Sequence, residues 1–261
     1  MSYFIVSIVA LAAAFLAFFS GFGLGTLLLP AFIAFFPARV AVAATAVVHL
    51  ANNSFRLLLV GRYADWRIAL RFGLPAVLAA IPGAWLLGRL SGLPVLYRYA
   101  LGTRAFEITP IKIAIGVLIL GFAVFDLVPR FRSLTFSPKY LPVGGVLSGF
   151  FGGLSGHQGA MRSMFLVKTG LESDAFIGTN SVIAVAVDIT RLVVYGASFY
   201  AGNFTAIGSG SWWLVGAATG ASMAGSLIGS RFIKKITINV VQYGIGALLI
   251  LMGLGLMSGL V

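Results

Sequence analysis

Two arginines stand inside long apolar segments, Arg56 in the first half of the chain and Arg191 in the second. An arginine at the bilayer centre costs about 2.5–3.5 kcal/mol on insertion scales, so such residues usually mark a binding site or a pathway. The planar guanidinium suits bidentate contacts with anion oxygens. The pair therefore predicts a clamp for a small oxyanion near the membrane midplane. Since Arg56 is close to Gly61, where its helix is expected to end, snorkelling to the membrane surface is the alternative.

Polar residues share a helix face with each arginine. Thr45, His49 and Asn52 precede Arg56 at intervals that place all four on one face of a helix. The second half has a comparable group: Asn180, Ser181 and Asp188. Polar groups in hydrocarbon must face protein or a wet cavity. The amides and the serine are therefore predicted to complete the anion site, with hydrogen bonding between helices as the alternative and packing favoured for the threonine.

Asp188 is the acidic residue that lies well inside a predicted span, three residues before Arg191. That spacing lets the two side chains meet on one helix turn. Asp188 is then either a structural counter-ion or a proton carrier that the arginine keeps ionised until substrate arrives. His49 and His157 could also carry protons, because an unperturbed imidazole titrates near neutral pH. Asp188 and His49 are the candidates for proton coupling.

Two glycine-rich motifs interrupt the apolar segments, Ser20 to Gly25 and Ser148 to Gly156. Each motif is expected to break a helix. The free N–H groups at the start of the next helix would attract an anion, and glycine would let the backbone approach a ligand closely. Tight packing through small residues is the alternative. The candidate binding residues in and beside these breaks are Gly23, Gly25, Gly153, Gly156, His157 and Gln158.

The elements that must hold these residues are membrane helices. Of the 261 residues, 60% are apolar and only 9% are charged, against about 25% charged in soluble domains. A soluble enzyme is excluded, and the continuous apolar runs disfavour a β-barrel. At about 20 residues per span, the chain predicts an all-α integral membrane protein with about eight helices. After the first broken segment, helices are expected over about 38–61, 68–90, 111–128, 175–199, 212–233 and 238–260, with a loop over about 91–110.

The landmarks repeat with a period of about 130 residues. Ser20 aligns with Ser148 and, after a seven-residue insertion, Arg56 aligns with Arg191. Two four-helix repeats, each beginning with a glycine-interrupted helix, are typical of secondary transporters. The positions of Lys and Arg favour inverted repeats with both termini outside. The expected divisions are residues 1–128, a polar linker at 129–140 and residues 141–261.

Charge and residue counts limit the chemistry. The net charge of +12 is attributed to basic loops at one membrane face rather than to nucleic-acid binding. Without cysteine, thiolate catalysis and Cys-ligated metals are excluded. Two histidines and one intramembrane aspartate offer little for a membrane-embedded enzyme, so no catalytic residue, metal or cofactor is expected.

The duplicated motifs resemble the TauE/SafE family of membrane anion permeases, also called sulfite exporters. The resemblance covers nearly the whole chain and includes the glycine-rich third helices, Gly83 to Gly88 and Gly225 to Gly229. It implies a bacterial inner-membrane carrier that moves sulfite, organosulfonates or related sulfur-containing anions, usually outward. His157, Gln158 and Arg162 depart from the first break, so the two halves of the site are not strictly equivalent.

The sequence thus predicts a secondary transporter that exports a small sulfur-containing anion by alternating access, with proton coupling as an option. An anion channel and a carrier of a small carboxylate stay as alternatives. The expected partners are the anion and the lipid bilayer, with no nucleic acid. A homodimer stays open beside a monomer.

Overall fold

The computed structural model describes residues 2–20, 24–132, 134–200, 209–231 and 239–260. The first half contains α1 (Ser2–Ser20), α2 (Leu24–Ile33), α3 (Ala38–Val60), α4 (Trp66–Ser91) and α5 (Pro110–Leu127). The short helix α6 (Pro129–Arg132) leads into the second half, which contains α7 (Leu141–Ser155), α8 (Gly159–Leu166), α9 (Ser173–Tyr200), α10 (Ser209–Arg231) and α11 (Asn239–Met257). Most predicted helix ends lie within a few residues of these bounds.

Several helices have the length and apolar character of membrane spans. In the described part of the chain, three are long enough by themselves: Ala38–Tyr63, Trp66–Ser91 and Ser173–Ala197. Shorter apolar helical stretches are Phe4–Phe18, Pro110–Phe125 and Gly246–Met257. The prediction of a largely helical protein is confirmed, and the count of eight spans stays a prediction.

Helix contacts occur in matching pairs. α1 packs against α10 as α7 packs against α4, and α3 packs against α10 as α9 packs against α4. The remaining large interfaces join α3 to α9 and α5 to α11. Exchanging each helix of the first half with its counterpart in the second therefore reproduces the large interfaces. One large apolar core joins residues of α1, α2, α3 and α10 to residues of α4, α5, α7, α9 and α11, and a smaller one gathers residues of α4, α7, α8 and α9.

Helix starts give the register between the two halves. Leu24 and Gly159 begin α2 and α8, and they are separated by the same 135 residues as Arg56 and Arg191. The starts of α3 and α9 have the same separation. Ser20, the last residue of α1, therefore corresponds to Ser155, the last residue of α7. The expected alignment of Ser20 with Ser148 is corrected by seven residues, and no insertion is needed.

The second helix break is narrower than expected. Residues up to Ser155 stay helical, and the chain turns at Gly156, whose φ of +84° is left-handed. The earlier glycines serve packing: a Cβ on Gly149 would lie 2.0 Å from the carbonyl oxygen of Ala76, and one on Gly153 would lie 2.2 Å from that of Ala80. Small residues allow this close approach of α7 to α4.

We expect Gly149→Ala to lower the melting temperature of the detergent-purified protein. The added methyl group would collide with the backbone of α4, which cannot move aside as a side chain could. Overpacking of this kind costs about 1–3 kcal/mol. Gly121→Ala is the control, because nothing lies within 4 Å of its new methyl group. Equal melting of the two variants would contradict tight packing of α7 on α4.

A β-hairpin occupies the segment that was expected to be a loop. Strands β1 (Tyr97–Leu101) and β2 (Arg104–Ile108) pair in antiparallel fashion. Gly102, at φ +62°, supplies the left-handed residue that a two-residue turn requires. The hydroxyl of Tyr99 donates to the carbonyl of Ser258 at 2.6 Å, so the hairpin contacts the end of the last helix. The all-α prediction is therefore corrected by this one hairpin.

Candidate functional site

The interface of α3 and α9 carries a buried set of polar side chains. Buried polar residues in an apolar protein need partners, since an unpaired group costs free energy. α3 contributes Thr45, His49, Asn52, Asn53 and Arg56, and α9 contributes Thr179, Asn180, Ser181, Asp188 and Arg191. Each is at most 7% exposed. The predicted residues His49 and Asp188, from opposite halves, meet directly across this interface.

The carboxylate of Asp188 is the centre of a polar network. Its Oδ2 lies 2.7 Å from Nδ1 of His49 and accepts from Nδ2 of Asn53 at 3.1 Å. Its Oδ1 accepts from Nε2 of Gln158 and from Nε of Arg191, both at 2.9 Å. NH2 of Arg191 is 2.7 Å from the same oxygen and forms an ion pair, although its direction is poor for a hydrogen bond. Both carboxylate oxygens of Asp188 therefore already have hydrogen-bond partners within the protein.

Arg162 extends this network through neutral acceptors. Its Nε donates to the side-chain oxygen of Asn180, and its NH1 donates to Oε1 of Gln158 at 3.2 Å. Gln158 thereby connects Arg162 to the carboxylate of Asp188, which Arg191 contacts directly. Ser148 fixes this residue from α7, since its hydroxyl donates to the carbonyl of Gln158 at 2.9 Å. Arg162 and Asn53 are site residues that the sequence analysis did not select.

Arg56 differs from Arg191 because it has no carboxylate partner in the described part of the chain. It is 3% exposed, yet its Nε and NH2 have no hydrogen-bond partner among the described residues. Its guanidinium lies 5.2 Å from the ring centre of Phe18, near the end of α1. Asn52, one turn earlier, accepts from the hydroxyl of Ser226 at 2.7 Å through Oδ1, and its Nδ2 is unpaired. Thr45 Oγ1 is likewise unpaired.

The start of α2 lies close to the turn that follows α7, beside Arg191. A Cβ on Gly25, in α2, would lie 3.0 Å from the carbonyl oxygen of Gly156. A Cβ on Gly156 would lie 2.6 Å from NH1 of Arg191, a nitrogen without a hydrogen-bond partner. A side chain at either position would therefore crowd its neighbour, and the approach of these glycines to a ligand stays a prediction.

His157 lies next to this turn but outside the carboxylate network. Its Nδ1 is 3.1 Å from the hydroxyl of Ser155, and its ring stacks on Phe122 with centres 5.0 Å apart. Its Nε2 is buried without a hydrogen-bond partner. This histidine is held by packing, and one of its nitrogens stays open for a ligand or a proton.

Other predicted site residues have different surroundings. Ser181 donates to the carbonyl of Ile177, one turn earlier on its own helix, at 2.8 Å. Gly153 packs on α4, and its carbonyl accepts from the hydroxyl of Tyr195. Gly23 lies outside the described residues. Over the described ranges, no three metal-ligating side chains come together.

The charges at this interface do not balance. Within the described part of the chain, the buried ionic residues other than histidine are Arg56, Arg162, Arg191 and Asp188. Three guanidinium groups thus face one carboxylate in a low-dielectric interior. Isolated charges are costly there unless they are paired. The site is therefore electropositive and suited to an anion.

Comparison with known proteins agrees with this arrangement. The sulfite exporter TauE/SafE family matches residues 6–256, which is almost the whole chain and includes both helix breaks and all the residues of the polar interface. No curated protein and no solved structure matches the chain. Members of this family are membrane transporters rather than enzymes. The chain is therefore a multi-pass membrane protein of the sulfite exporter TauE/SafE family.

Proposed function

We propose that the protein is a secondary transporter that exports sulfite, an organosulfonate or a related small sulfur-containing anion. One observation carries this proposal: buried hydrogen-bond donors of Arg56, Asn52 and Arg191 have no hydrogen-bond acceptor within the part of the chain that the structure describes. A buried donor without a partner costs about 1–3 kcal/mol, and more when it is charged. An oxyanion would pair with these donors and offset the excess positive charge.

The donor set selects the chemistry of the ligand. Nε and NH2 of Arg56 and Nδ2 of Asn52 can only donate, so their ligand must present several acceptor oxygens. Guanidinium groups bind sulfur and carboxylate oxyanions in the same forked manner. The sulfur anion is preferred over a carboxylate because the chain belongs to the sulfite exporter family. Asn180, Gln158 and His157 would surround the ligand from the second half.

Alternating access would use the two halves as inverted repeats. The matched large helix interfaces, and the shared separation of 135 residues between the starts of α2 and α8 and of α3 and α9, support this arrangement. The close contact of Gly25 with Gly156 joins the two helix breaks beside the site. Rocking of one half against the other would then expose the anion to either side in turn.

The proposed setting is the bacterial inner membrane, with both termini outside. Basic residues are concentrated in cytoplasmic loops of membrane proteins, and a positive inner face would raise the local concentration of anions. The protein is proposed to work within the bilayer without a cofactor or nucleic acid. The homodimer remains an alternative to the monomer for the assembled transporter.

Proton coupling is the second part of the proposal. Asp188 and His49 come from opposite halves and lie 2.7 Å apart. A proton held by this pair would move with the anion, because a substrate that competes for Arg191 weakens the ion pair of Asp188. The anion gradient and the proton gradient would then together drive the same transport cycle.

Anion counterflow in proteoliposomes tests the proposal. The purified protein is loaded with one anion, and uptake of labelled sulfite, a small sulfonate, sulfate or acetate is followed. We expect saturable exchange of sulfite or the sulfonate, with at least about tenfold preference over acetate. That discrimination corresponds to about 1.4 kcal/mol.

Two outcomes would redirect the assignment. Preferred exchange of acetate would make the protein a carboxylate carrier. Unitary currents in a planar bilayer, without counterflow, would make it a channel. Empty liposomes and liposomes with heat-inactivated protein are the controls for leakage.

A further inference from the structure

We infer that the two halves of the site are unequal: the first half binds the anion at Arg56, whereas Asp188 occupies the corresponding place in the second half. Asn53, which carries no charge, is then the residue that leaves Arg56 available to the anion. The inference rests on the proposed function and defines its binding site more closely. It also gives the ligand class, a small anion with at least two terminal oxygens.

The register between the halves makes Asn53 the counterpart of Asp188. These two residues are separated by 135 positions, as are Arg56 and Arg191. Nδ2 of Asn53 donates to Oδ2 of Asp188 at 3.1 Å, so the counterparts meet at the interface of α3 and α9. Each precedes its own arginine by three residues, a spacing at which helical side chains can meet.

In the second half the arginine has its own carboxylate, although NH1 of Arg191 has no hydrogen-bond partner among the described residues. Asp188 neutralises Arg191, and Gln158 donates to the same carboxylate oxygen. Arg162 secures Gln158 from the other side at 3.2 Å. An anion that approaches Arg191 must therefore compete with a carboxylate that is already bound.

The first half lacks each of these groups. At the corresponding positions stand Asn53, Gly23 and Leu27, an uncharged amide, a glycine and an apolar residue. Gly23 lies outside the described residues, and Leu27 is buried. Arg56 is consequently left with two unpaired nitrogens in a buried site.

Asp188 shows what the first half is built to receive. In the second half, Arg191 binds a compact anion, the carboxylate of Asp188, through its Nε and NH2. The same two kinds of nitrogen, Nε and NH2, are unpaired on Arg56. A sulfonate or hydrogensulfite group matches a carboxylate in its single negative charge and offers terminal oxygens to both nitrogens. The bound anion would contact the guanidinium of Arg56 as the carboxylate of Asp188 contacts that of Arg191.

An exchange of the two residues tests the inference. Binding of sulfite and of a small sulfonate to the detergent-purified protein is measured by calorimetry. Asn53→Asp should weaken binding at least about tenfold, because the new carboxylate neutralises Arg56 at the spacing seen for Asp188 and Arg191. In the double variant Asn53→Asp/Asp188→Asn, binding should depend on Arg191: Arg191→Gln should then cost about 100-fold, and Arg56→Gln less than tenfold.

A charge-neutral deletion covers the case in which the exchange variants fail to fold. In the otherwise native chain, Asp188→Asn/Arg191→Gln removes one charge of each sign and should cost less binding than Arg56→Gln. Asp174→Asn is the control for loss of a carboxylate, since Asp174 is exposed at the start of α9. Equal losses for the double deletion and Arg56→Gln, or native binding by Asn53→Asp, would overturn the inference. Failure of the native protein to bind any sulfur oxyanion would instead refute the proposed function.

Discussion

Arg56→Gln is expected to abolish anion counterflow while leaving the protein at least as stable as the native chain. Arg56 has two unpaired nitrogens and no carboxylate partner in the described structure. Two charge-assisted hydrogen bonds of about 1.5–3 kcal/mol each would be lost from the bound anion. The rate at low substrate concentration should therefore fall by at least about 100-fold.

The stability of this variant separates binding from a structural role. An arginine in hydrocarbon costs about 2.5–3.5 kcal/mol on insertion scales, and Arg56 has no internal anion to offset that cost. Glutamine removes the charge, so the melting temperature should stay equal or rise. If Arg56 served the fold, the same substitution would lower it. Addition of sulfite should raise the melting temperature of the native protein and not that of the variant.

Three further variants sharpen the comparison. Arg56→Lys retains the charge but not the fork, so it should keep a small part of the native rate. Arg62→Gln, just beyond the end of α3, is exposed and should transport normally. Arg191→Gln should lower both transport and stability, because it leaves Asp188 buried without its cation. Breaking a buried pair costs about 3–5 kcal/mol. Normal counterflow by Arg56→Gln would refute the role of Arg56 in binding.

Helices were predictable because the bilayer imposes a simple rule on the sequence. A span needs about 20 apolar residues, and the basic or glycine-rich segments between such runs fix its ends. α3 was expected over 38–61 and extends over Ala38–Val60. The hairpin at Tyr97–Ile108 was missed because its strands are short and exposed, and its one turn signal, Gly102, stands in a polar segment.

Local spacing also predicted one contact of the site. Asp188 and Arg191 are three residues apart on one helix, so their ion pair followed from helix geometry. The contact of His49 with Asp188 joins residues 139 positions apart, and spacing within a helix carries no information about it. Asn53 was overlooked for the same reason, since its importance comes from the opposite helix. The register of the repeat was the available signal, and the alignment of Ser20 with Ser148 concealed it.

Glycine was the least informative residue in this sequence. A helix break and a tight helix interface both require it, for different reasons. In α7 the residues Gly149 and Gly153 pack against α4, whereas Gly156 turns the chain. The left-handed backbone of Gly156 distinguishes this turn from the packing glycines of α7. Composition alone does not specify backbone angles.

Asp188→Asn is expected to uncouple protons from anion movement. The groups around this carboxylate are His49 and Asn53 from α3, Gln158 before α8 and Arg191 on its own helix, with Arg162 beyond Gln158. A bound anion competes with Asp188 for Arg191, whose NH1 has no hydrogen bond. The displaced carboxylate then takes up a proton, with His49 Nδ1 2.7 Å away as its neighbour.

This arrangement fixes the sign of the pH dependence. Since a proton on Asp188 frees Arg191 for the anion, and the anion frees Asp188 for a proton, each should strengthen binding of the other by the same factor. Anion affinity should therefore rise as pH falls. Asparagine keeps the shape of the side chain but cannot be protonated, so the variant should lose this dependence.

The measurement is the number of protons that enter proteoliposomes with each anion, followed by an internal pH dye together with labelled sulfite. The native protein should move about one proton per anion, which neutralises one unit of substrate charge. Asp188→Asn should move close to none, and Asp174→Asn should retain the native ratio. The ratio does not depend on how much protein folds, so the cost of leaving Arg191 unpaired does not obscure it. A ratio that is unchanged in Asp188→Asn would assign Asp188 the role of a structural counter-ion, because the proton would then travel by another route.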